Sequence, residues 1–376
     1  MMTTQNPLGL EGIDFVEFAS PDPDALHRLF LDFGFSRELR HVTRAVDVYV
    51  QNDIRFLLNR EPKSFGAGFA REHGPSICAM GWRVSDAKAA ANSAELRGAQ
   101  LVTGDLRVEG VRVPAVRGIG GSLVYLVERW NEARRWESLG FVPLETPDRV
   151  PAKGFLAIDH LTNNVEKGTM ERWKTFYKDV FAFTEVRYFD IKGAKTGLTS
   201  FAMRSPCGTF CIPINEADEA KSQINEFIDE YRGPGIQHLA FLTTDILASL
   251  RALEKDGAKL SFLDIEDDYY ASVFDRVPNV GEDRAEIQAR NVLVDGDAKG
   301  YLLQIFTKPI CGPIFIELIQ RHNHLSFGEG NFGALFRSIE RDQARRGVFD
   351  QPRDRPSIRP FDGTLVPFGS RPAGRG

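Results

Sequence analysis

Short apolar runs alternate with amphipathic segments along most of this chain. FLAIDHLTNNV at 155–165 has the character of a strand and leads to MERWKTFYKDVF, which has the spacing of an amphipathic helix. IQHLAFLTT at 236–244 is followed in the same way by DILASLRALEKDG, where an aspartate precedes the helical segment and a glycine ends it. Further runs, including VDVYV, IRFLLN, YLLQIFTK and PIFIELIQ, predict additional strands. The pattern indicates an α+β fold built from βαβββ units.

The two halves of the chain are similar to each other in order and spacing. GIDFVEFASPD at 12–22 matches AIDHLTNNVEK at 157–167, and GGSLVYLVER at 120–129 matches GPIFIELIQR at 312–321. Between them, 76–101 matches 235–260 without a gap, and the second half has insertions around 192–232 and 262–300. Because a long-period repeat indicates a duplicated fold, we predict two pseudo-repeated halves, each of paired βαβββ modules. The expected domains are 1–150 and 151–347, followed by an extended Pro/Arg-rich tail at 348–376.

Three metal-capable side chains of the second half have no counterpart in the first half. His160, His238 and Glu317 lie within strand-like apolar runs. The aligned residues of the first half are Phe15, Ala79 and Tyr125. Two neutral imidazoles and one carboxylate form the facial triad that holds Fe(II) and leaves coordination positions open. No local helical motif joins the three residues, so they have to meet across strands. We therefore predict one Fe(II) per chain, bound in the second half alone.

Composition and charge favour a protein that acts on small molecules. The chain has 376 residues, of which 42% are hydrophobic and 26% charged, which is enough for roughly two or three domains. A formal net charge of −5 gives no reason to expect nucleic acid or an anionic membrane as a partner. Since a basic leader and a long apolar run are both missing, we expect a cytoplasmic protein without membrane association. The scattered cysteines fit free thiols better than disulfides or a structural zinc site.

The βαβββ pattern and the order His, His, Glu resemble the vicinal oxygen chelate (glyoxalase-like) superfamily, in which an open barrel-like sheet surrounds a divalent metal. FGEGNFGALFRSIERDQARRG at 327–347, called the closing segment below, is similar to the C-terminal end of the 4-hydroxyphenylpyruvate dioxygenase family. Further similar sequence motifs extend the resemblance over roughly 1–348, namely NPLGLEG, REHGPS, RYFDIKG, TGLTS and LLQIF. It implies a homodimeric or homotetrameric enzyme that uses Fe(II) and O2 to convert 4-hydroxyphenylpyruvate to homogentisate and CO2 in tyrosine and phenylalanine catabolism.

The same resemblance assigns residues to the pocket around the metal. The groups that would orient the keto acid and the phenol, as catalytic residues, are Gln237, Gln304, Asn215 and Ser200. The groups that would bind the substrate as the pocket wall are Pro213, Gln223, Phe306, Phe315, Phe327 and Phe332. A helix predicted at 334–346, with Gly347 as its stop, places Leu335, Phe336 and Ile339 on one side. By the resemblance, this helix would close over the pocket.

Other interpretations of the residues remain open. 4-Hydroxymandelate synthase resembles the dioxygenases and uses the same substrate and triad, but it oxidises the benzylic carbon; Pro213, Asn215 and Phe332 match the dioxygenase pattern. An extradiol catechol dioxygenase also uses two histidines and a glutamate, yet the FGEGNF sequence and the glutamine set disfavour it. A metal-free binding protein of the same fold would leave the intact triad unexplained.

Three further motifs are interpreted without a functional role. His322 and His324 follow Glu317 in a polar loop and fit solvated turn residues. The acidic run 264–268 lacks the spacing and the glycine of a calcium loop and fits a solvated loop. GIGG at 118–121 lacks the pattern of a dinucleotide fingerprint, so neither NAD nor flavin is expected.

Overall fold

Two mixed β-sheets, one from each half of the chain, form the framework of the protein. The structure, a computed structural model, describes residues 5–193 and 195–350. The strands of the first sheet are β1 (Leu10–Ala19), β2 (Ser36–His41), β3 (Val46–Gln51), β4 (Ile54–Asn59), β5 (Ser76–Val84), β6 (Leu101–Val108), β7 (Val111–Arg117), β8 (Leu123–Val127) and β9 (Phe141–Asp148). The strands of the second sheet are β10 (Phe155–Val165), β11 (Thr184–Lys192), β12 (Gly197–Arg204), β13 (Cys211–Ala217), β14 (Gly235–Thr243), β15 (Leu293–Asp297), β16 (Gly300–Phe306) and β17 (Phe315–His322).

Helices connect the strands of both halves, and the last helix follows the last strand. Those of the first half are α1 (Pro23–Asp32), α2 (Phe65–His73), α3 (Ala87–Leu96) and α4 (Arg135–Ser138). Those of the second half are α5 (Met170–Phe181), α6 (Gln223–Tyr231), α7 (Ile246–Lys255), α8 (Asp267–Arg276), α9 (Arg284–Ala289) and α10 (Phe332–Arg345). None of these helices, nor any other in the described ranges, is long and apolar enough to cross a membrane. The predicted tail falls outside the described residues beyond Asp350.

The strand order confirms the βαβββ architecture. The first sheet has the order β6-β7-β8-β5-β1-β4-β3-β2-β9, and the second has the order β11-β12-β13-β10-β14-β17-β16-β15. In each sheet the first strands of the two modules are antiparallel neighbours at the centre, β1 with β5 and β10 with β14. The insertion at 262–300 contains α8 and α9, which precede the last three strands. The second sheet thus curls as an open half-barrel whose central strands carry the predicted ligands.

The pairing registers confirm the alignment of the repeat to the residue. In the first sheet, Phe15 lies opposite Gly81, and Gly81 lies beside Tyr125. The corresponding residues of the second sheet are His160, Ala240 and Glu317. Even the β-bulges are repeated, because Asp14 and Asp159 are each skipped in the pairing just before the aligned residue.

Aromatic side chains fill the place in the first half that corresponds to the metal ligands. The rings of Phe15 and Tyr125 are 6.1 Å apart between centroids, and both residues are buried. A Cβ atom at Gly81 would overlap the Phe15 ring, so the ring fits only because residue 81 has no side chain. The hydroxyl of Tyr125 accepts a hydrogen bond from the backbone N–H of Asp105 at 2.9 Å. This place is packed and contains no ligand set.

Helix ends follow the local sequence signals closely but not completely. The side chains of Asp22, Asp86 and Asp245 cap the first turns of α1, α3 and α7, as the aspartate before each helical pattern predicts. The predicted helix at 334–346 begins two residues earlier, at Phe332. The earlier start follows from the turn at Glu329–Asn331, which already has the 3₁₀ conformation and feeds directly into the helix.

Candidate metal centre and substrate pocket

Three neighbouring strands place the predicted metal ligands on one face of the second sheet. His160 lies on β10, His238 on β14 and Glu317 on β17. His238 is opposite Thr162, and Glu317 is beside Ala240. Since alternate residues of a strand share a face and paired residues point the same way, His160, His238 and Glu317 all face the inside of the curl.

The three side chains meet in a buried cluster. Their possible ligand atoms all lie within 4.8 Å of one another. Oε2 of Glu317 is 3.1 Å from Nε2 of His160 and 3.5 Å from Nε2 of His238. Only 2% of Glu317, 3% of His160 and 9% of His238 is exposed. No other cluster with three such groups is found among residues 5–193 and 195–350.

Neighbouring side chains hold both imidazoles with Nε2 directed at the cluster. Nδ1 of His160 is 2.8 Å from a carboxylate oxygen of Asp159, and Nδ1 of His238 is 3.0 Å from the amide oxygen of Gln237. Both partners are acceptors, so each Nδ1 carries a proton and Nε2 is the nitrogen directed at a metal. Arg321 holds Asp159 in turn through two hydrogen bonds of 2.7 and 2.8 Å.

β-Bulges explain how residues adjacent to the ligands reach them. Asp159 is skipped in the pairing of β10 with β14, and Gln237 is skipped on the opposite strand. An extra residue in one strand interrupts the alternation of faces, so the side chain of the bulged residue is re-aimed. Asp159 and Gln237 can therefore contact the imidazoles of the residues that follow them in sequence.

The residues present fit a divalent metal ion. Oε1 of Glu317 accepts a hydrogen bond from the side-chain amide of Gln304 at 3.0 Å, which leaves Oε2 as the oxygen that faces the imidazoles. Two imidazole nitrogens and one carboxylate oxygen are the donor set of a facial triad, and each has an outer partner that orients it. The cluster is therefore a candidate metal centre.

Without metal, Glu317 and His160 form a buried ion pair. Burial disfavours the charged form of both groups, but their attraction outweighs it: the pKa of His160 is raised to about 9, and that of Glu317 is lowered to about 2. The carboxylate of Asp159 also raises the pKa of His160. At neutral pH, Nε2 of His160 thus holds a proton in the position that a metal would take.

Metal binding to the metal-free protein should therefore release about one proton below pH 9. His160 must lose its Nε2 proton before it can ligate, so affinity should rise about tenfold per pH unit between pH 6 and 8. Titration of the metal-free protein with a divalent metal, in buffers of different ionisation enthalpy, measures the released proton. Binding that is independent of pH and releases no proton would contradict the assignment of His160 as the ligand that carries it.

A cavity opens beside the cluster. All of the pocket residues assigned from the sequence line it: Ser200, Pro213, Asn215, Gln223, Gln237, Gln304, Phe306, Phe315, Phe327 and Phe332. Leu335, Phe336 and Ile339 of α10 line it as well, on the helix face that the sequence predicts. The structure thus brings all of these residues together at the cavity, and the role of each one stays a prediction.

Besides Gln237, which contacts His238, two of the assigned amides have protein partners. The side chain of Gln304 donates to Glu317 at 3.0 Å and accepts from the side-chain amide of Asn331 at 2.9 Å. Asn215 donates to the side-chain oxygen of Asn164 at 3.2 Å. Gln304 therefore acts on the site through Glu317, while Asn215 keeps its carbonyl oxygen as an acceptor.

The sequence reasoning missed several residues that shape the site. Those that line the cavity are Thr162, Phe189, Ile191 and Leu198. Thr162 could have been found, because it lies two positions after His160 and so shares its face. Asp159, Arg321 and Asn331 act from behind the ligands, and nothing in the alternation of strand residues indicates their contacts.

The motifs left without a role lie away from the cluster. His322 is exposed and contacts a carboxylate oxygen of Glu282 at 3.0 Å. Within the acidic run, Glu266 is partly exposed and pairs with Arg337 and Arg341 of α10. The run therefore contacts the closing segment, which the interpretation as a simple solvated loop did not anticipate.

Comparison with known proteins matches both halves of the chain. Residues 4–142 match the family model described as hydroxyphenylpyruvate dioxygenase, N-terminal, and residues 157–279 match the glyoxalase/bleomycin resistance protein/dioxygenase superfamily. Protein MelA of Shewanella colwelliana is 54% identical over 93% of this chain and 100% of its own length. The 4-hydroxyphenylpyruvate dioxygenase of Pseudomonas aeruginosa is 46% identical over 91% of this chain and 97% of its own length.

A solved structure agrees with these relatives. A substituted variant of 4-hydroxymandelate synthase from Streptomyces coelicolor matches with a TM-score of 0.76 and 25% identity, over 89% of this chain and 99% of that one. Relatives this similar over nearly their whole length share one fold and one family. The chain therefore belongs to the 4-hydroxyphenylpyruvate dioxygenase family, whose members are enzymes of the vicinal oxygen chelate superfamily.

Proposed function

We propose that this protein is a non-haem Fe(II) dioxygenase that converts 4-hydroxyphenylpyruvate and O2 to homogentisate and CO2. The observation that carries the proposal is the buried cluster of His160, His238 and Glu317 beside an aromatic cavity, in a chain of this family. Both atoms of O2 are retained in homogentisate, one in the carboxylate that forms as CO2 leaves and one in the new ring hydroxyl. The reaction is therefore balanced without a further reductant.

The three ligands would hold one Fe(II) ion in each chain. In this site Fe(II) would supply the oxidising chemistry by which an α-keto acid reacts with O2. Asp159 and Gln237 keep the two imidazoles oriented before the substrate arrives. Such preorganisation avoids the cost of rearranging ligands during the reaction.

The polar side chains of Ser200 and Asn215 suit the phenol end of the substrate. Ser200 lies on β12 and Asn215 on β13, on the other side of β10 from the strands of His238 and Glu317. Two strand spacings are roughly 10 Å, close to the length of 4-hydroxyphenylpyruvate from keto acid to phenol. The carbonyl oxygen of Asn215 can accept a hydrogen bond from the phenol hydroxyl, because its amide nitrogen is already engaged.

Apolar side chains between the two ends would exclude water. Phe315 stacks on the His238 ring at 4.6 Å, and Phe327 packs edge-on to the His160 ring at 5.6 Å. Helix α10 lines the cavity, and its Glu340 accepts a hydrogen bond from the backbone N–H of Thr196 at 2.9 Å. A dry, aromatic pocket protects the reactive stage of an oxidation from water and positions the substrate ring.

The second candidate function is that of a 4-hydroxymandelate synthase. The similarity to a solved synthase variant favours it, since the two chains share a fold over most of their length. Pro213, Asn215 and Phe332 line the cavity and match the dioxygenase pattern, so we prefer attack on the ring. A metal-free binding protein does not account for three preoriented ligand atoms.

The proposed biological setting rests on the resemblance to the same family. We propose a role in tyrosine and phenylalanine catabolism in the cytoplasm. We also propose that the protein is a homodimer or homotetramer and that each chain has domains at 1–150 and 151–347. Light scattering of the purified protein tests the oligomeric state.

Gas exchange tests the proposed reaction class. Anaerobically Fe(II)-loaded protein, given 4-hydroxyphenylpyruvate and then O2, should release one CO2 for each O2 consumed. Metal-free protein and protein given catechol should show no consumption. Oxygen uptake without CO2 release, or turnover of catechol, would contradict an oxidation driven by the substrate's own keto acid.

A further inference from the structure

A continuous chain of buried hydrogen bonds joins Glu317 to the closing segment. Gln304 donates to Oε1 of Glu317 at 3.0 Å, and Asn331 of the closing segment donates to Gln304 at 2.9 Å. The hydroxyl of Tyr269, on α8, donates to the side-chain oxygen of Asn331 at 2.6 Å. The exposed fraction of these side chains is 2% for Glu317 and Gln304, 1% for Asn331 and 8% for Tyr269. These hydrogen bonds are therefore shielded from water from Glu317 to Tyr269.

The direction of every bond in this chain is fixed by the carboxylate at its end. An ionised carboxylate only accepts, so the amide nitrogen of Gln304 must face Glu317 and its oxygen must face Asn331. Asn331 must then present its nitrogen to Gln304 and its oxygen to Tyr269. The hydroxyl of Tyr269 accepts from the backbone N–H of Val294 at 2.7 Å, and its single proton faces both the side-chain oxygen of Asn331 at 2.6 Å and the backbone oxygen of Val294 at 2.8 Å. Donors arranged head to tail strengthen one another in a buried site.

The backbone of the closing segment lies directly against Gln304. Gly328 has a φ of +78°, and a Cβ atom there would overlap the side-chain oxygen of Gln304. Only glycine combines this conformation with such a close approach. By contrast, the outer partner of His238 is Gln237, which belongs to the same strand as the ligand.

We propose that Asn331 is a positioning residue that fixes Glu317 through Gln304, so that docking of the closing segment completes the metal centre. The inference rests on the proposed metal site. Without Asn331, the side-chain oxygen of Gln304 loses its hydrogen-bond donor in a buried site, and the amide is no longer held at the angle from which its nitrogen reaches Oε1 of Glu317. Glu317 would then lose the contact that leaves Oε2 facing the imidazoles.

Metal binding to Asn331→Leu and Asn331→Asp tests the proposal. Leucine keeps the volume and removes both hydrogen bonds, whereas aspartate still accepts from Tyr269 but cannot donate to Gln304. We expect the dissociation constant for Fe(II), from chelator competition, to rise about 10–100-fold in both variants. The visible absorption of the Co(II)-loaded protein should also change, because it reports ligand geometry.

Glu340→Gln is the matched control in the same segment. This change weakens the contact of α10 with Thr196 and leaves the hydrogen-bond chain intact, so metal affinity and the Co(II) spectrum should equal those of the wild type. Wild-type affinity and spectrum in both Asn331 variants would overturn the proposal, as would an equal loss in Glu340→Gln. If neither Asn331 variant shows a cooperative thermal transition, the proposal is tested with Tyr269→Phe instead. The measurements are the same, the dissociation constant for Fe(II) and the Co(II) spectrum. Since these readouts need no turnover, an unexpected product would contradict the proposed function alone.

Discussion

Replacing Glu317 with glutamine should abolish most Fe(II) binding and turnover while the fold survives. The amide keeps the shape of the side chain but lacks the negative charge that Oε2 presents to the two imidazoles, and a neutral amide is a weaker ligand. Loss of an outer partner alone typically costs about 10–100-fold in metal affinity, so loss of the ligand charge should cost more than about 100-fold. Iron analysis should give one ion per chain for the wild type, and turnover should fall in parallel with occupancy.

Glu329→Gln provides the control for this change. Glu329 lies in the turn before α10, and its carboxylate pairs at 3.2 Å with Arg187, which is 59% exposed. An exposed pair of this kind contributes about 0–1 kcal/mol, so iron occupancy should match the wild type. Normal iron binding by Glu317→Gln with metal loss in Glu329→Gln would show that the third ligand was assigned to the wrong strand. Two tightly bound irons per wild-type chain would contradict the prediction that the first half binds no metal, where Phe15 and Tyr125 fill the equivalent place.

Phe332→Ile should divert part of the reaction from homogentisate to 4-hydroxymandelate. The Phe332 ring lines the cavity and packs edge-on against Phe189, with centroids 5.1 Å apart. A branched aliphatic side chain leaves the substrate ring less constrained, and a change of about 1 kcal/mol in relative barriers alters the product ratio about fivefold. Iron occupancy should not change, because Phe332 contacts none of the ligands through hydrogen bonds. Chromatography of the products measures the ratio; homogentisate alone at the wild-type rate would show that Phe332 does not steer the oxidation.

The metal centre could be predicted from the sequence because the repeat carries residue-level information. Strand pairing preserves register across the two halves, so the alignment of Phe15 with His160 holds in both sheets. The residues that line the cavity could be assigned by the resemblance. Side chains alternate between the two faces along each strand, so the three ligands from separate strands share one face.

The support behind the ligands could not be predicted, for two physical reasons. Asp159 and Gln237 reach the imidazoles through β-bulges, and a strictly alternating strand would point them away. Tyr269 and Asn331 come from an inserted helix and from the closing segment, whose docking depends on packing over long sequence separations. Such contacts leave no periodic pattern in the chain.

Identification of the aromatic product tests the central claim most directly. Fe(II)-loaded protein, prepared without oxygen and mixed with 4-hydroxyphenylpyruvate before O2 is admitted, should yield homogentisate with one atom from labelled O2 in its carboxylate and one in its new ring hydroxyl. A product with an unoxidised ring and a benzylic hydroxyl, or an unchanged substrate, would contradict the account.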